Sequence, residues 1–350
     1  MLIAAKDEAD VSMSIRLRVF FVPILFIVIF VARESSPASG ELLVAYGGHN
    51  ETMAPMWVGV DRGLFRKHGV DPRVLQTRSG PIMMATLASG GASLVWAAPT
   101  SAISAATGGM KLGCFAVGND TIPRELIARK GIESLEDLRG KTFGVQSIGG
   151  GFWLATMAVL NGLDIDPDKY KLNMRVIGDT GTVTQALSTG NIDAAVVPYS
   201  YADIAKRAGA RSLADAATVK LIYQGIAMCA RKDSAAISNE TMIALTKGIV
   251  EALVYIQEPA NKRDVSEILK KHLRLTRDED IEASYKVTRL QMTAVDIAPN
   301  PEAWRRIQRL LIRINPKVQE ADLDQLLVGN AVRNLEESGF LSEMRKRLGK

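Results

Sequence analysis

Cysteine and histidine are scarce in this chain, with two and three copies in 350 residues. The histidines, His49, His68 and His272, are far apart and distant from Cys114 and Cys229. That spacing matches no zinc or cluster motif, so neither metal nor cofactor is expected. Cys114 and Cys229 fall in strand-like segments, 111–117 and 225–231. A disulfide in an oxidising compartment and two buried thiols both fit there. Aromatic residues make up 6% and do not interleave with the basic ones, so a net charge of +5 carries no nucleic-acid reading. Much of that charge lies in the tail, at Arg305, Arg306, Arg309, Arg313, Arg345, Lys346 and Arg347, where helical spacing makes a solvated face. Catalytic signatures are also missing. Gly140-Lys141-Thr142 ends like a phosphate loop, but Leu135 stands where its first glycine belongs. Ser147 has Val145 two positions before it rather than the glycine of a nucleophile elbow, and no His-Glu-x-x-His occurs.

The apolar run from Val19 to Ala32 is shorter than the ~20 residues that span a bilayer. Arg16 and Arg18 precede it and Ser35-Ser36-Pro37-Ala38-Ser39-Gly40 follows it, the order of a secretory leader. Residues 1–40 are therefore expected to be a signal peptide cleaved near Gly40, with Met13 as an alternative start, leaving an exported soluble protein.

Past the leader, the chain repeats itself about a hundred residues apart. Leu87-Ala88-Ser89-Gly90 runs into the apolar stretch 94–98 and stops at Pro99. Leu187-Ser188-Thr189-Gly190 runs into 194–197 and stops at Pro198. Each copy reads as a helix end, a glycine able to take positive φ, and a strand covered on both faces. Upstream, both copies carry a strand (42–46; 142–146), a Gly-rich turn (47–50; 147–151), and a helix holding Trp57 or Trp153. An Asp-Pro step (71–72; 166–167), a second strand (73–77; 173–177) and a polar turn (Ser79-Gly80; Thr180-Gly181-Thr182) follow. Two similar α/β lobes with a cleft between them follow from this order.

A second likeness, between 126–130 and 227–232, brackets the second copy and marks two crossover strands, expected to pair with each other as a hinge. Lobe 1 is then 41–124 plus 226–350, and lobe 2 is 125–225. Helical spacing over 242–256, 268–275, 304–314 and 323–335 places helices on the back of lobe 1.

The run Ala54-Pro55-Met56-Trp57 with Asp61-Arg62-Gly63-Leu64-Phe65-Arg66-Lys67-His68-Gly69-Val70 resembles the opening helix of the sulfonate, nitrate and taurine type of solute-binding protein of ABC importers. The stretches 132–141 and 187–194 resemble the same family, and the likeness covers most of 42–233. Ser93 departs from it, where the family often has aspartate. The resemblance implies a two-lobed, type II periplasmic binding fold with a hinge between Rossmann-like lobes. It also implies a monomer that is not an enzyme and that carries a small ligand to a membrane permease and its ATPase.

Gly-rich turns opening into helices offer free N–H groups and the positive end of the helix dipole to an anion. The candidate ligand-binding residues are Gly48, His49, Asn50, Ser79, Gly80 and Thr100 in lobe 1, with Ser147, Gly149, Gly150, Thr180, Gly181, Thr182 and Tyr199 in lobe 2. The competing role of the hydroxyls is helix capping. Trp96 and Trp153 read as core or pocket wall. The rival functions are an enzyme on the same fold, of thiamin-pyrimidine or menaquinone-pathway type, and a ligand-sensing signalling subunit. N-terminal sequencing of the exported protein is expected to begin near Glu41; retention of Val19–Ala32 would refute the leader.

Overall fold

The computed structural model describes residues 41–119, 122, 124–216, 223–235, 237–292, 297–312 and 314–349. The leader expected over 1–40 lies outside them. The first lobe opens with β1 (Leu42–Tyr46), α1 (Ala54–Asp61), β2 (Pro72–Gln76), α2 (Gly80–Ala88), β3 (Leu94–Ala97), α3 (Pro99–Thr107) and β4 (Leu112–Asn119). The second holds β5 (Arg124–Ala128), β6 (Thr142–Val145), α4 (Gly151–Gly162), β7 (Asn173–Val176), α5 (Thr180–Ser188), β8 (Ala194–Pro198), α6 (Tyr199–Arg207) and β9 (Arg211–Asp215). The chain then returns through β10 (Ile226–Arg231) to α7 (Asn239–Gln257), α8 (Lys262–Leu273), α9 (Asp278–Gln291), α10 (Pro301–Ile312), α11 (Leu323–Leu326), α12 (Asn330–Glu337) and α13 (Phe340–Arg347).

Two mixed five-stranded sheets result, ordered β2-β1-β3-β10-β4 and β7-β6-β8-β5-β9. They match position for position, and helices flank both. The repeated glycines behave as their position demands, with φ of 78° at Gly90 and 77° at Gly190. A left-handed residue costs a Cβ-bearing side chain about 1 kcal/mol, so glycine ends the helix cleanly. The departure at Ser93 has a structural counterpart. In lobe 2, Asp193 accepts the Thr142 amide at 2.8 Å and the Arg129 guanidinium at 2.6 Å. In lobe 1, the Ser93 hydroxyl donates to the Glu41 carbonyl at 3.3 Å.

The crossover strands do not pair with each other, contrary to expectation. β5 lies antiparallel between β8 and β9, and β10 lies antiparallel between β3 and β4, each inside its own sheet. Their likeness in sequence reflects equivalent places in two similar lobes rather than contact. The changeover between sheets falls in the connections from Asn119 to Arg124 and from Asp215 to Ile226.

The C-terminal helices also reach further than the back of lobe 1. While α7 packs on α1 and β4, α9 lies against α6 of lobe 2, and α10 wedges between α3 and α4. One apolar cluster runs through both lobes, from Val95 and Ile103 by way of Trp304 to Val145, Trp153 and Val197. The helix expected over 323–335 is interrupted after α11, where Leu327 bridges to Cys114 and the Val328 amide donates to the Cys114 carbonyl at 2.9 Å. Gln224, on the second changeover, is tied to this returning segment. Its side chain donates to the Ala298 carbonyl and accepts from the Asn300 amide and the Trp304 indole, at 2.8 to 3.0 Å. Among the described residues no helix is long and apolar enough to cross a membrane.

Cys114 and Cys229 face each other across β4 and β10 and form a disulfide with a sequence separation of 115. A loop of that length removes about 4–5 kcal/mol of unfolded-state entropy in the chain-entropy account. Cys114→Ser with Cys229→Ser is therefore expected to lower the unfolding free energy by roughly 2–5 kcal/mol, read from urea midpoints with and without reductant.

Candidate functional site

Loops at the strand ends of both lobes meet around one partly open cavity. Gly47, Gly48, Asn50 and Thr52 come from the turn after β1, and Gly80 and Met83 from α2. Trp96, Ala98 and Ser101 follow β3, Gln146, Gly151 and Phe152 follow β6, and Arg124, Tyr223, Gly225 and Ile226 come from the two changeovers. The cavity measures about 60 Å³ in this closed arrangement. Gln146 latches the lobes, its amide nitrogen donating to the carbonyls of Gly47 at 2.9 Å and Arg78 at 3.1 Å.

Three helices present their first turns to the cavity, through Gly80 of α2, Ser101 of α3, and Gly151 and Phe152 of α4. Each N-terminus carries a partial positive charge, although Pro81 and Pro99 have no N–H to offer and the Ser101 amide already donates to the Ala98 carbonyl at 3.0 Å. The full positive charge is Arg124, the first residue of β5. It is 8% exposed, its guanidinium carbon stands 5.1 Å from the Phe152 ring centre, and its Nη1 has no hydrogen-bond partner among the described residues. Burial pulls its pKa down, against the opposing fields of Tyr223 and Glu51. Such a charge is costly to enclose unless an anion pairs with it. Trp96 forms part of the wall, its indole donating to the Thr52 carbonyl at 3.0 Å.

The expected site residues divide by position. Gly48, Asn50 and Gly80 line the cavity. Asn50 also caps the turn that follows it, accepting from the Thr52 amide at 3.0 Å and hydroxyl at 2.8 Å. Ser79 immediately precedes α2 in extended conformation without a side-chain cap bond. Gly149 and Gly150 lie in the turn just before α4, with Gly150 closely packed on Ser147. Thr100 and Thr180 are buried in the first turns of α3 and α5, and their hydroxyls lack partners among the described residues; neither lines the cavity. Thr182 is engaged in capping, its amide and hydroxyl both donating to Asp179, and Gly181 adjoins that carboxylate.

Two residues turn elsewhere. His49 is bonded at both ring nitrogens, to the Tyr46 hydroxyl at 3.2 Å and to the His272 carbonyl at 2.9 Å. Tyr199 donates to Asp215 and lines a separate surface groove with residues of α9. Trp153 is core, as expected. Arg124, Gln146, Phe152 and Tyr223 were not anticipated. The signal for Arg124 and Tyr223 was their place at the two changeovers, and for Gln146 its place at the end of a central strand.

The fold is that of the two-lobed periplasmic binding proteins. It superposes on the periplasmic aliphatic sulphonate binding protein SsuA of Escherichia coli with a TM-score of 0.64 at 17% identity, covering 81% of this chain and 91% of the other. On the periplasmic nitrate-binding protein NrtA of Synechocystis PCC 6803 the score is 0.67 at 13% identity, covering 85% and 88%. The NMT1/THI5 like family model matches residues 50–262, and the chain belongs to that family. YtlA of Bacillus subtilis, named as a binding protein, is 24% identical over 290 residues, 81% of this chain and 86% of that one. A protein of Brucella abortus, likewise named as a binding protein, is 29% identical over 143 residues. That match spans 41% of this chain and 43% of the Brucella relative's length.

Closure depends on one close approach. A Cβ on Gly151 would lie 2.6 Å from the Cβ of Ala98 on the opposite lobe, and neither atom has a rotamer to escape by. Gly151→Ala is expected to cost the closed form about 1–3 kcal/mol. The check is an increase in the radius of gyration by small-angle scattering with the folding midpoint little changed.

Proposed function

We propose that this protein captures a small, anionic organic solute between its lobes and delivers it to a membrane permease and ATPase. The observation that carries the reading is Arg124, a buried guanidinium with an unpartnered nitrogen facing three helix N-termini. Arg124 and the three helix N-termini direct positive potential towards one cavity, and a single anion there answers all four. The cavity's size favours a nitrate-sized ion or the sulfonate head of a larger solute, with the aromatic wall of Trp96, Phe152 and Tyr223 taking the apolar part.

Lobe 1, as residues 41–124 and 226–350, and lobe 2, as 125–225, would open about the two changeovers to admit it. Support for binding rather than catalysis comes from the relatives named as binding proteins, and for sulfonate or nitrate from what the two structural neighbours are named as binding. By the same analogy the protein acts in the periplasm, and our reading is that it does so as a monomer.

The test is the melting temperature against nitrate, small sulfonates and carboxylates, with uncharged analogues as controls. A solute at a hundred times its dissociation constant stabilises by about 2.7 kcal/mol. Arg124→Gln is expected to weaken the affinity by about 2–5 kcal/mol, which at the same solute concentration cuts that stabilisation to less than about 1 kcal/mol. Shifts with the uncharged analogues alone, or an unchanged shift in the variant, would overturn the anion assignment.

A further inference from the structure

Glu51, in the short turn between β1 and α1, is completely buried, and neither carboxylate oxygen has a hydrogen-bond partner among the described residues. What encloses it comes from three places. The turn itself belongs to lobe 1, Ser200 comes from α6 of lobe 2, and Ser284 from α9. Both hydroxyls face the carboxyl without reaching hydrogen-bond geometry, and each is itself unpartnered among the described residues. The charged or titratable groups whose fields reach Glu51 are Arg124, at the start of β5, and Tyr201, on α6. The neighbouring charges of α9 are held elsewhere, Asp280 by Arg207 and Arg289 by the Gln257 carbonyl. Arg124 is the group assigned above to the solute, so a bound anion competes with Glu51 for its field.

Part of the wall around Glu51 is lobe 2, through Ser200 of α6. On the reading of a protein that opens, parting of the lobes would draw Ser200 away and admit water to the carboxyl. Closing therefore moves an ionisable group from water into a site that offers no full bond to its charged form. A neutral carboxylic acid, by contrast, can donate to a facing hydroxyl.

We propose that closure of the lobes places a proton on Glu51, making solute capture proton-linked. This rests on the reading of the protein as one that opens and closes on a solute. Desolvation raises the pKa of Glu51 in the closed form, against weaker opposing effects of Ser200, its own amide, Ser284 and Arg124. The sign follows. With the closed-form pKa above that of the open form, the advantage of closing is full below the ordinary carboxylate range. It is lost as pH rises towards the closed-form value, by up to about ten-fold in the closed-to-open ratio per pH unit for one proton.

The experiment is small-angle scattering of the purified protein without added solute, between pH 5 and 8, for the wild type and Glu51→Gln. The wild type is expected to expand as pH rises and the variant to stay compact throughout. Parallel expansion of both, or expansion of neither, overturns the proposal. Because the variant could lose its fold, infrared spectroscopy of the wild type gives an independent reading. A protonated carboxyl band that persists above the ordinary carboxylate range and fades with expansion supports the proposal, and its absence overturns it. The melting-temperature panel answers separately whether an anion binds, so failure here leaves that reading to stand or fall by itself.

Discussion

An enclosed positive charge has to be balanced, and in this protein the requirement falls on Arg124. Its position follows from topology, since β5 begins where the chain has just entered lobe 2 and Tyr223 stands where the chain is about to leave it. The guanidinium thus lies beside both changeovers between the two sheets. Around it the first turns of α2, α3 and α4 add potential of the same sign. Without a counter-ion this is an unfavourable arrangement that the surrounding packing must sustain.

That packing is unusually continuous for a hinged molecule. The apolar cluster running through Trp304 joins the two sheets, and Gln224 ties the second changeover to the segment leading into α10. Opening must therefore separate polar contacts at the cleft, such as Gln146 on Gly47 and Arg78, while it deforms rather than breaks the apolar contact behind it. A rotation about the changeovers, with α10 as the fulcrum between α3 and α4, meets both conditions.

Much of this fold was legible in the sequence because its signals are local. A glycine that must take positive φ, an apolar run too short for a helix, and a proline that ends it are read within ten residues, and they located the equivalent strands β3 and β8 of the two sheets almost to the residue. The error about the crossover strands came from taking likeness for contact, since duplication makes equivalent residues similar while holding them in different sheets. The cavity was only partly legible. Gly48, Asn50 and Gly80 sit at strand ends, where the local rule points. Arg124 and Gln146 line it because two distant segments meet, and no local pattern encodes that meeting. His49 was expected to face the ligand, but the end of α8 supplies it with a carbonyl from 223 positions away.

The disulfide between β4 and β10 lies on the lobe 1 side of both changeovers and so encircles all of lobe 2 in a covalent ring. Whatever happens to the backbone inside that ring, the two halves of lobe 1 remain one molecule. A single proteolytic cut anywhere in lobe 2 would leave a nicked protein whose first lobe keeps its full five-stranded sheet, and the fragments would part only under reducing conditions. The lobe carrying most of the chain is thereby insured against damage to the other.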